Sequence, residues 1–176
     1  MIYKPNFFII TGGPGVGKTT LLEVLAKQGF PYVPEVARKI IREQVSQNGD
    51  ALPWANIPAY THLMLSRSVE SFEQHQKQES VLFFDRGIPD TLAYVHLTHQ
   101  SPSPELQHTV QDFRYNPQVF ITMNVPDSGM TITTLIFSNV AVTRSSCPMP
   151  RKYYGINSIT CPRTKITDSP FSSGTL

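Results

Sequence analysis

The sequence predicts an α/β fold in three layers, with a mainly parallel sheet between two layers of helices. Three observations support this prediction. Short apolar runs alternate with longer amphipathic stretches over residues 1–123. The runs lack the polar alternation of half-exposed strands, which is typical of strands that helices cover on both faces. The alternation of strands with helices is itself the pattern of parallel βαβ units.

Each predicted element has its own signal. Apolar runs predict four strands, over residues 7–11, 30–34, 80–85 and 118–122. Amphipathic spacing predicts five helices, over residues 19–28, 35–46, 57–78, 89–98 and 105–113. Gly29 is the stop signal of the first helix. Because parallel sheets bind ligands at the carboxyl ends of their strands, we expect the site just after Ile10, Val33, Phe84 and Ile121.

Composition excludes several classes of protein. The chain has 176 residues, 40% hydrophobic and 16% charged, with a formal net charge of +2. A surplus this small does not indicate a nucleic-acid partner, which needs clustered positive charge. No apolar stretch approaches the length of a membrane span, and the first residues lack signal-peptide character. We therefore expect a cytoplasmic protein with neither a membrane nor a nucleic-acid partner.

A glycine-rich loop follows the first predicted strand and precedes the first predicted helix. Residues 12–19 match the pattern G-x-x-x-x-G-K-[ST] at every fixed position. Backbone N–H groups can surround a phosphate chain only where the loop curls, and glycine permits the backbone angles required. A glycine turn without a ligand is the alternative interpretation. Nine residues form the predicted phosphate-binding set: Gly12, Gly13, Pro14, Gly15, Val16, Gly17, Lys18, Thr19 and Thr20.

The members of this set have different predicted roles. Lys18 would reach the β- and γ-phosphates, and the Thr19 hydroxyl would ligate Mg²⁺. Thr20 would donate to the α-phosphate. The unpaired N–H groups at the helix N-terminus would add to the attraction for negative charge.

Asp85 ends the apolar run of residues 81–84, and a carboxylate at this place is the Walker B arrangement that holds Mg²⁺. The pair Asp85–Arg86 resembles the one found here in nucleoside and nucleotide kinases. That likeness makes Arg86 a candidate for holding a substrate or a phosphate. An ordinary strand-ending turn is the alternative interpretation.

A second acidic and basic group follows the second predicted strand. Glu35 and Arg38 share one helical face with Arg42, so an acceptor substrate could bind there. A solvent-exposed face with an ion pair inside the helix is the alternative. Three sets of candidate residues result. The candidate catalytic residues are Lys18, Asp85, Glu35 and Arg86. The candidate acceptor-binding residues are Glu35, Arg38 and Arg86, and the candidate metal ligands are Thr19 and Asp85.

Four segments in this order resemble a known family. They are the glycine loop and residues 34–38, 84–90 and 115–120. The chain is similar to the AAA-type predicted ATPases related to the kinase domain of NadR, the bifunctional nicotinamide-riboside kinase. The resemblance covers about residues 5–123. It implies a P-loop NTPase of the kinase-like class, with the strand of Asp85 beside the first strand, ATP·Mg²⁺ as ligand and phosphoryl transfer to a small acceptor.

Residues 124–176 depart from the family pattern. They contain only two acidic residues, Asp127 and Asp168, and are rich in Ser, Thr and Pro. The family continues with a charged helical lid that carries arginines, then a last strand and a final helix. We therefore predict a P-loop core over residues 1–123 and a divergent tail over residues 124–176. Our hypothesis is that the tail is a frameshifted reading. The P-loop fold is then incomplete at its C-terminal part.

The sequence supports two further functions beside a small-molecule kinase with a nucleoside-like acceptor. One is a nucleotide-dependent regulatory ATPase or switch. The other is an inactive remnant that binds nucleotide without turnover. Product analysis distinguishes them, because only the kinase couples consumption of ATP to phosphorylation of an acceptor.

Overall fold

A five-stranded sheet organises the computed structural model, which describes residues 1–125 and 129–136, with side chains described for residues 1–122. Seven strands are described in these residues: β1 (Ile2–Tyr3), β2 (Phe7–Gly12), β3 (Tyr32–Val33), β4 (Leu82–Asp85), β5 (Phe113–Arg114), β6 (Gln118–Val125) and β7 (Gly129–Ile136). The helices are α1 (Lys18–Lys27), α2 (Val36–Ser46), α3 (Ile57–Gln74), α4 (Ile88–Leu97) and α5 (Pro104–Asp112).

The order of the strands in the sheet is β3-β4-β2-β6-β7. The first four strands pair in parallel, and β7 pairs antiparallel to β6. Strand β4, which carries Asp85, lies directly beside β2, with Ile10 opposite Asp85. The predicted mainly parallel sheet and the predicted position of the Asp85 strand are therefore confirmed.

Helices pack on both faces of the sheet because alternate residues of β2 point in opposite directions. Phe7 and Ile9 belong to a cluster with residues of α3, α4 and α5, among them Phe72 and Leu106. Ile10 belongs to a second cluster, together with Leu22 of α1 and Phe83 of β4. This division of one strand between two cores produces the three layers that the sequence predicts.

Several element boundaries differ from the predictions. Helix α3 ends at Gln74 rather than at residue 78, since Gln78 turns back to donate its N–H to the His75 carbonyl. Phe113, predicted as helical, lies in β5. That short strand pairs with β1, which forms a separate two-stranded sheet that the apolar pattern missed. Two-residue strands contain too few residues for a periodic signal.

The tail prediction concerns residues that lie largely outside the described part of the chain. Strand β7 is described there, and it extends the sheet beyond β6 as an antiparallel partner. The boundary at residues 123 and 124 and the hypothesis of a frameshift both stay predictions. Within the described residues, no helix is at once long enough and apolar enough to cross a bilayer.

Candidate nucleotide-binding site

The loop between β2 and α1 curls tightly at its glycines. Gly12, Gly15 and Gly17 have φ angles of 141°, 75° and 88°, which L side chains rarely adopt. Gly17 is the residue immediately before α1 and has a left-handed conformation. A strand, a curled loop and a helix N-terminus thus follow one another in the order that an anion-binding nest requires.

At Gly12, the first glycine of the loop, a side chain is excluded by lack of space as well as by the backbone angle. A Cβ atom at Gly12 would overlap the carbonyl oxygen of Thr122 and would lie 2.6 Å from its Oγ1. At Gly15 a Cβ atom would meet nothing within 4 Å. The loop is therefore packed against β6 where it leaves the sheet and open at its tip.

Lys18 lies in the first turn of α1 and directs its ammonium group back into the loop. Its residue is 3% exposed, and Nζ donates to the carbonyl oxygens of Gly12, at 3.1 Å, and Gly13, at 2.7 Å. Burial lowers the pKa of Lys18, and the nearby Arg86 lowers it further. The positive charge that the motif predicts is thus concentrated inside the curl of the loop.

The remaining loop residues take the places that the motif predicts along the chain. Thr19 is half-buried in the first turn of α1, and Thr20 is exposed next to it. Pro14 is exposed and Val16 is half-buried in the loop itself. Contacts of these residues with phosphate or Mg²⁺ stay predictions.

Asp85 ends β4 with its side chain inside the protein. Its residue is 5% exposed, and its Oδ1 atom is buried without a hydrogen-bond partner among the described residues. Burial raises the pKa of Asp85, and the Glu35 carboxylate raises it further, while Lys18, Arg86 and Arg38 act in the opposite direction. A buried acceptor without a donor fits a metal ion or a metal-bound water as its partner.

Glu35 connects two arginines from different parts of the chain. Its Oε1 accepts from Nε of Arg86 at 2.8 Å, and its Oε2 pairs with Nε of Arg38, also at 2.8 Å. The Glu35 side chain is 12% exposed, whereas that of Arg38 is 52% exposed. Arg42, which the sequence places on the same face, is exposed, and no contact with Glu35 is described.

Arg86 occupies the turn between β4 and α4 in a strained backbone conformation, with φ of 70° at a residue that is not glycine. Its N–H donates to the Ile10 carbonyl at 3.0 Å, and its Nη2 donates to the Gly12 carbonyl at 2.9 Å. The arginine therefore contacts the phosphate loop and Glu35 at once. Strained residues of this kind concentrate at functional sites.

Structure adds residues that the sequence interpretation did not select. Thr122 of β6 donates from Oγ1 to the Thr11 carbonyl at 3.0 Å, just before the loop. Asp90 of α4 accepts hydrogen bonds from Thr11 Oγ1 and from the Gly87 N–H. A carboxylate three residues after a glycine at a helix start is the signal of an N-terminal cap, and it could have identified Asp90.

Two aromatic residues in the sequence, Trp54 and Tyr60, flank Pro53 and Pro58 and could form a ring-stacking wall, but core packing is the favoured prediction for both. Tyr60 is 4% exposed and packs with Ile40, Met64 and Tyr94, so the core assignment is confirmed for it. Burial raises the pKa of Tyr60 to about 12, and Glu35 contributes to the rise. Trp54 is 68% exposed, so core packing is wrong for that residue.

The donor set fits a nucleotide that brings its own metal. Among the residues that the structure describes, no group of three or more His, Cys, Asp or Glu could hold a metal ion. Mg²⁺ in phosphoryl-transfer sites takes only one or two protein ligands and completes its shell with phosphate oxygens and water. One buried carboxylate beside an open, curled loop meets that requirement.

Comparison with known proteins agrees with this geometry. No curated protein matches the chain at a significant level. The model of a protein family described as an AAA domain matches residues 7–133, which include the glycine loop, Asp85 and the first four strands of the main sheet. This match covers well over half of the chain, and the protein therefore belongs to this AAA domain family of P-loop NTPases.

Proposed function

We propose that the protein binds ATP with Mg²⁺ and transfers the terminal phosphoryl group to a small, nucleoside-like acceptor. One observation carries the proposal. Across adjacent strands, the phosphate loop with Lys18 faces a cluster of Asp85, Glu35 and Arg86 that a nucleotide-binding loop alone does not need. Such a cluster provides both positive charge and a proton acceptor at the place where the terminal phosphoryl group would lie.

On the nucleotide side, the loop amides and Lys18 neutralise the phosphates. Lys18 now donates to the Gly12 and Gly13 carbonyls, so binding exchanges these two contacts for charge-assisted bonds to phosphate oxygens. Thr19 and Asp85 would hold the metal ion. Bound Mg²⁺ withdraws electron density from the phosphates and neutralises their developing charge.

On the acceptor side, Arg86 and Arg38 hold the Glu35 carboxylate from two directions. This restraint fixes the orientation of a group that could accept the hydroxyl proton of the acceptor. Of the two arginines, Arg86 lies nearer to the predicted phosphate position, because it also contacts the loop through the Gly12 carbonyl. We assign Arg86 to the transferring phosphoryl group and Arg38 to the acceptor.

Product analysis tests the proposal. ATP labelled in its terminal phosphate would be incubated with Mg²⁺ and a panel of nucleosides, and labelled products would be separated. Transfer to one acceptor, lost in the Lys18→Ala variant purified in parallel, is the expected result. Binding of ATP with release of phosphate to water alone contradicts transfer and favours a regulatory ATPase, and binding without any turnover favours an inactive remnant.

A further inference from the structure

Asp90 is a carboxylate at the start of α4 that binds three separate groups. One oxygen, Oδ2, accepts from the Gly87 N–H at 2.8 Å, and the other, Oδ1, accepts from the Thr11 hydroxyl. Nη1 of Arg86 lies 3.7 Å from Oδ1. The side chain is 12% exposed, so these partners replace most of its water.

The contacts of Asp90 close a ring. Thr11 is covalently joined to Gly12, the first residue of the phosphate loop, and the Gly12 carbonyl accepts from Nη2 of Arg86 at 2.9 Å. Arg86 returns to Asp90 through their ion pair. The ring therefore joins the end of β2 to the turn that follows Asp85, through side chains that are 79 residues apart in the chain.

This ring has a physical consequence for the turn. Arg86 has a left-handed backbone, which is strained in a residue other than glycine. The N–H of the next residue, Gly87, is held by the Asp90 carboxylate. Any rotation that relaxed the turn would break that bond and displace the Arg86 guanidinium from the loop.

We propose that Asp90 is a positioning residue that holds the Asp85–Arg86 turn in register with the phosphate loop, acting through Thr11, Gly87 and Arg86. The proposal rests on the proposed function, because register matters for catalysis only if phosphate and metal bind between the two segments. Misplacement of a reacting group by about 1 Å can cost about 100-fold in rate. A role limited to helix capping would leave Thr11 without influence on the turn.

Amide hydrogen exchange in the free protein tests the connection without any nucleotide. Thr11→Val removes the hydroxyl at nearly constant volume, and Thr11→Ser keeps it. We expect the Gly87 amide to exchange about tenfold faster in the Val variant than in the Ser variant, since a hydrogen bond to a charged group is lost. The Phe83 amide, which donates to the Pro31 carbonyl in the same sheet, serves as the reference for global opening. The proposal would be overturned if the Gly87 amide exchanged equally fast in the two variants once its rate is compared with that of the Phe83 amide.

Kinetics of Asp90→Asn tests the consequence for catalysis. We expect kcat to fall about tenfold or more while KM for ATP changes less than about threefold, because the loop itself is intact. A kcat within about twofold of the parent value would overturn the positioning role. If the parent protein binds no nucleotide, the proposed function fails, while the exchange measurement on the Thr11 variants still decides whether Asp90 holds the turn.

Discussion

The two halves of the candidate site are built in different ways. The phosphate loop is one continuous segment, in which main-chain groups and Lys18 lie within a few residues of one another. The opposite half is made of side chains from two segments, as in the contact between Glu35 and Arg86, which are 51 residues apart. A local motif therefore defines the first half, whereas the second exists only because strands β3, β4 and β2 are neighbours.

The halves also differ in how well their polar groups are satisfied. In the loop, the buried ammonium of Lys18 has two acceptors. In the side-chain half, the buried Oδ1 of Asp85 has no partner among the described residues. Stability and function are thus expected to separate, with substitutions in the loop lowering both and a substitution at Asp85 lowering only function.

Removal of the loop ammonium should have the largest effect. Lys18→Ala should weaken binding of Mg·ATP at least about 100-fold, because several charge-assisted bonds to phosphate are lost together. Isothermal titration calorimetry measures the affinity for Mg·ATP. Lys27→Ala, at the exposed end of the same helix, is the matched control and should bind like the parent protein. Unchanged affinity in the Lys18 variant would rule out the loop as the phosphate site.

A methyl group at the base of the loop should have the next largest effect. Gly12→Ala should lower the free energy of unfolding by about 3 kcal/mol, because its Cβ would overlap Thr122 and the backbone angle is unfavourable. Urea denaturation measures the difference.

The matched control is Gly15→Ala, which shares a positive φ but has no atom within 4 Å of the added Cβ. It should cost only about 1–2 kcal/mol. Equal losses in the two variants would show that β6 does not constrain the loop at Gly12.

Glu35, at the centre of the side-chain half of the site, should contribute less to the free energy of unfolding than Gly12 does. Glu35→Gln should lower the free energy of unfolding by about 2 kcal/mol, since two charged hydrogen bonds of a largely buried carboxylate are weakened. Arg38→Gln should cost about 0.5 kcal/mol or less, because its pair is half-exposed and screened. If the Arg38 variant proves the less stable of the two, Glu35 acts mainly within its own helix and does not join the two segments.

Asp85→Asn should change stability less than Glu35→Gln does, and in the opposite direction. The amide needs no charge in the buried site, so the free energy of unfolding should rise by about 1 kcal/mol while Mg²⁺-dependent ATP binding weakens. Because the pKa of Asp85 is raised, the folded state binds more protons than the unfolded state in the pH range between 3.8 and the raised pKa.

The stability of the parent protein should therefore fall relative to the Asn variant as the pH rises from 3.8 through the raised pKa. Denaturation midpoints of the two proteins across this range measure the effect. If the difference in midpoint between the Asn variant and the parent protein narrows with rising pH, the folded state stabilises the Asp85 carboxylate. That result would contradict burial as the dominant influence on its pKa.

Much of the fold followed from local patterns. The apolar runs of β2, β4 and β6 are long enough to reveal strands that helices cover on both faces, and the structure confirms them. The pairing of β1 with β5 did not follow, because two residues carry no period and their partners are more than 100 residues away. The end of α3 at Gln74 depends likewise on a turn that apolar spacing does not reveal.

The candidate site divides in the same way. Sequence patterns identified Lys18 and Asp85 as candidates, and the structure places them at neighbouring strand ends, within electrostatic range of each other. The contact of Asp90 with Thr11 lay beyond sequence reasoning, because the two residues come close only after β2 and β4 pair. The strained backbone at Arg86 was equally beyond sequence reasoning, since no local residue preference favours it.

By itself, the sequence determined the curl of the loop and the place of its cation, because glycines and a lysine at fixed spacing act through bonds between near neighbours. Only the tertiary structure decided which charges meet across the site. Contacts such as those of Glu35 with Arg86 and of Thr11 with Asp90 depend on strand order and register, which no short segment encodes.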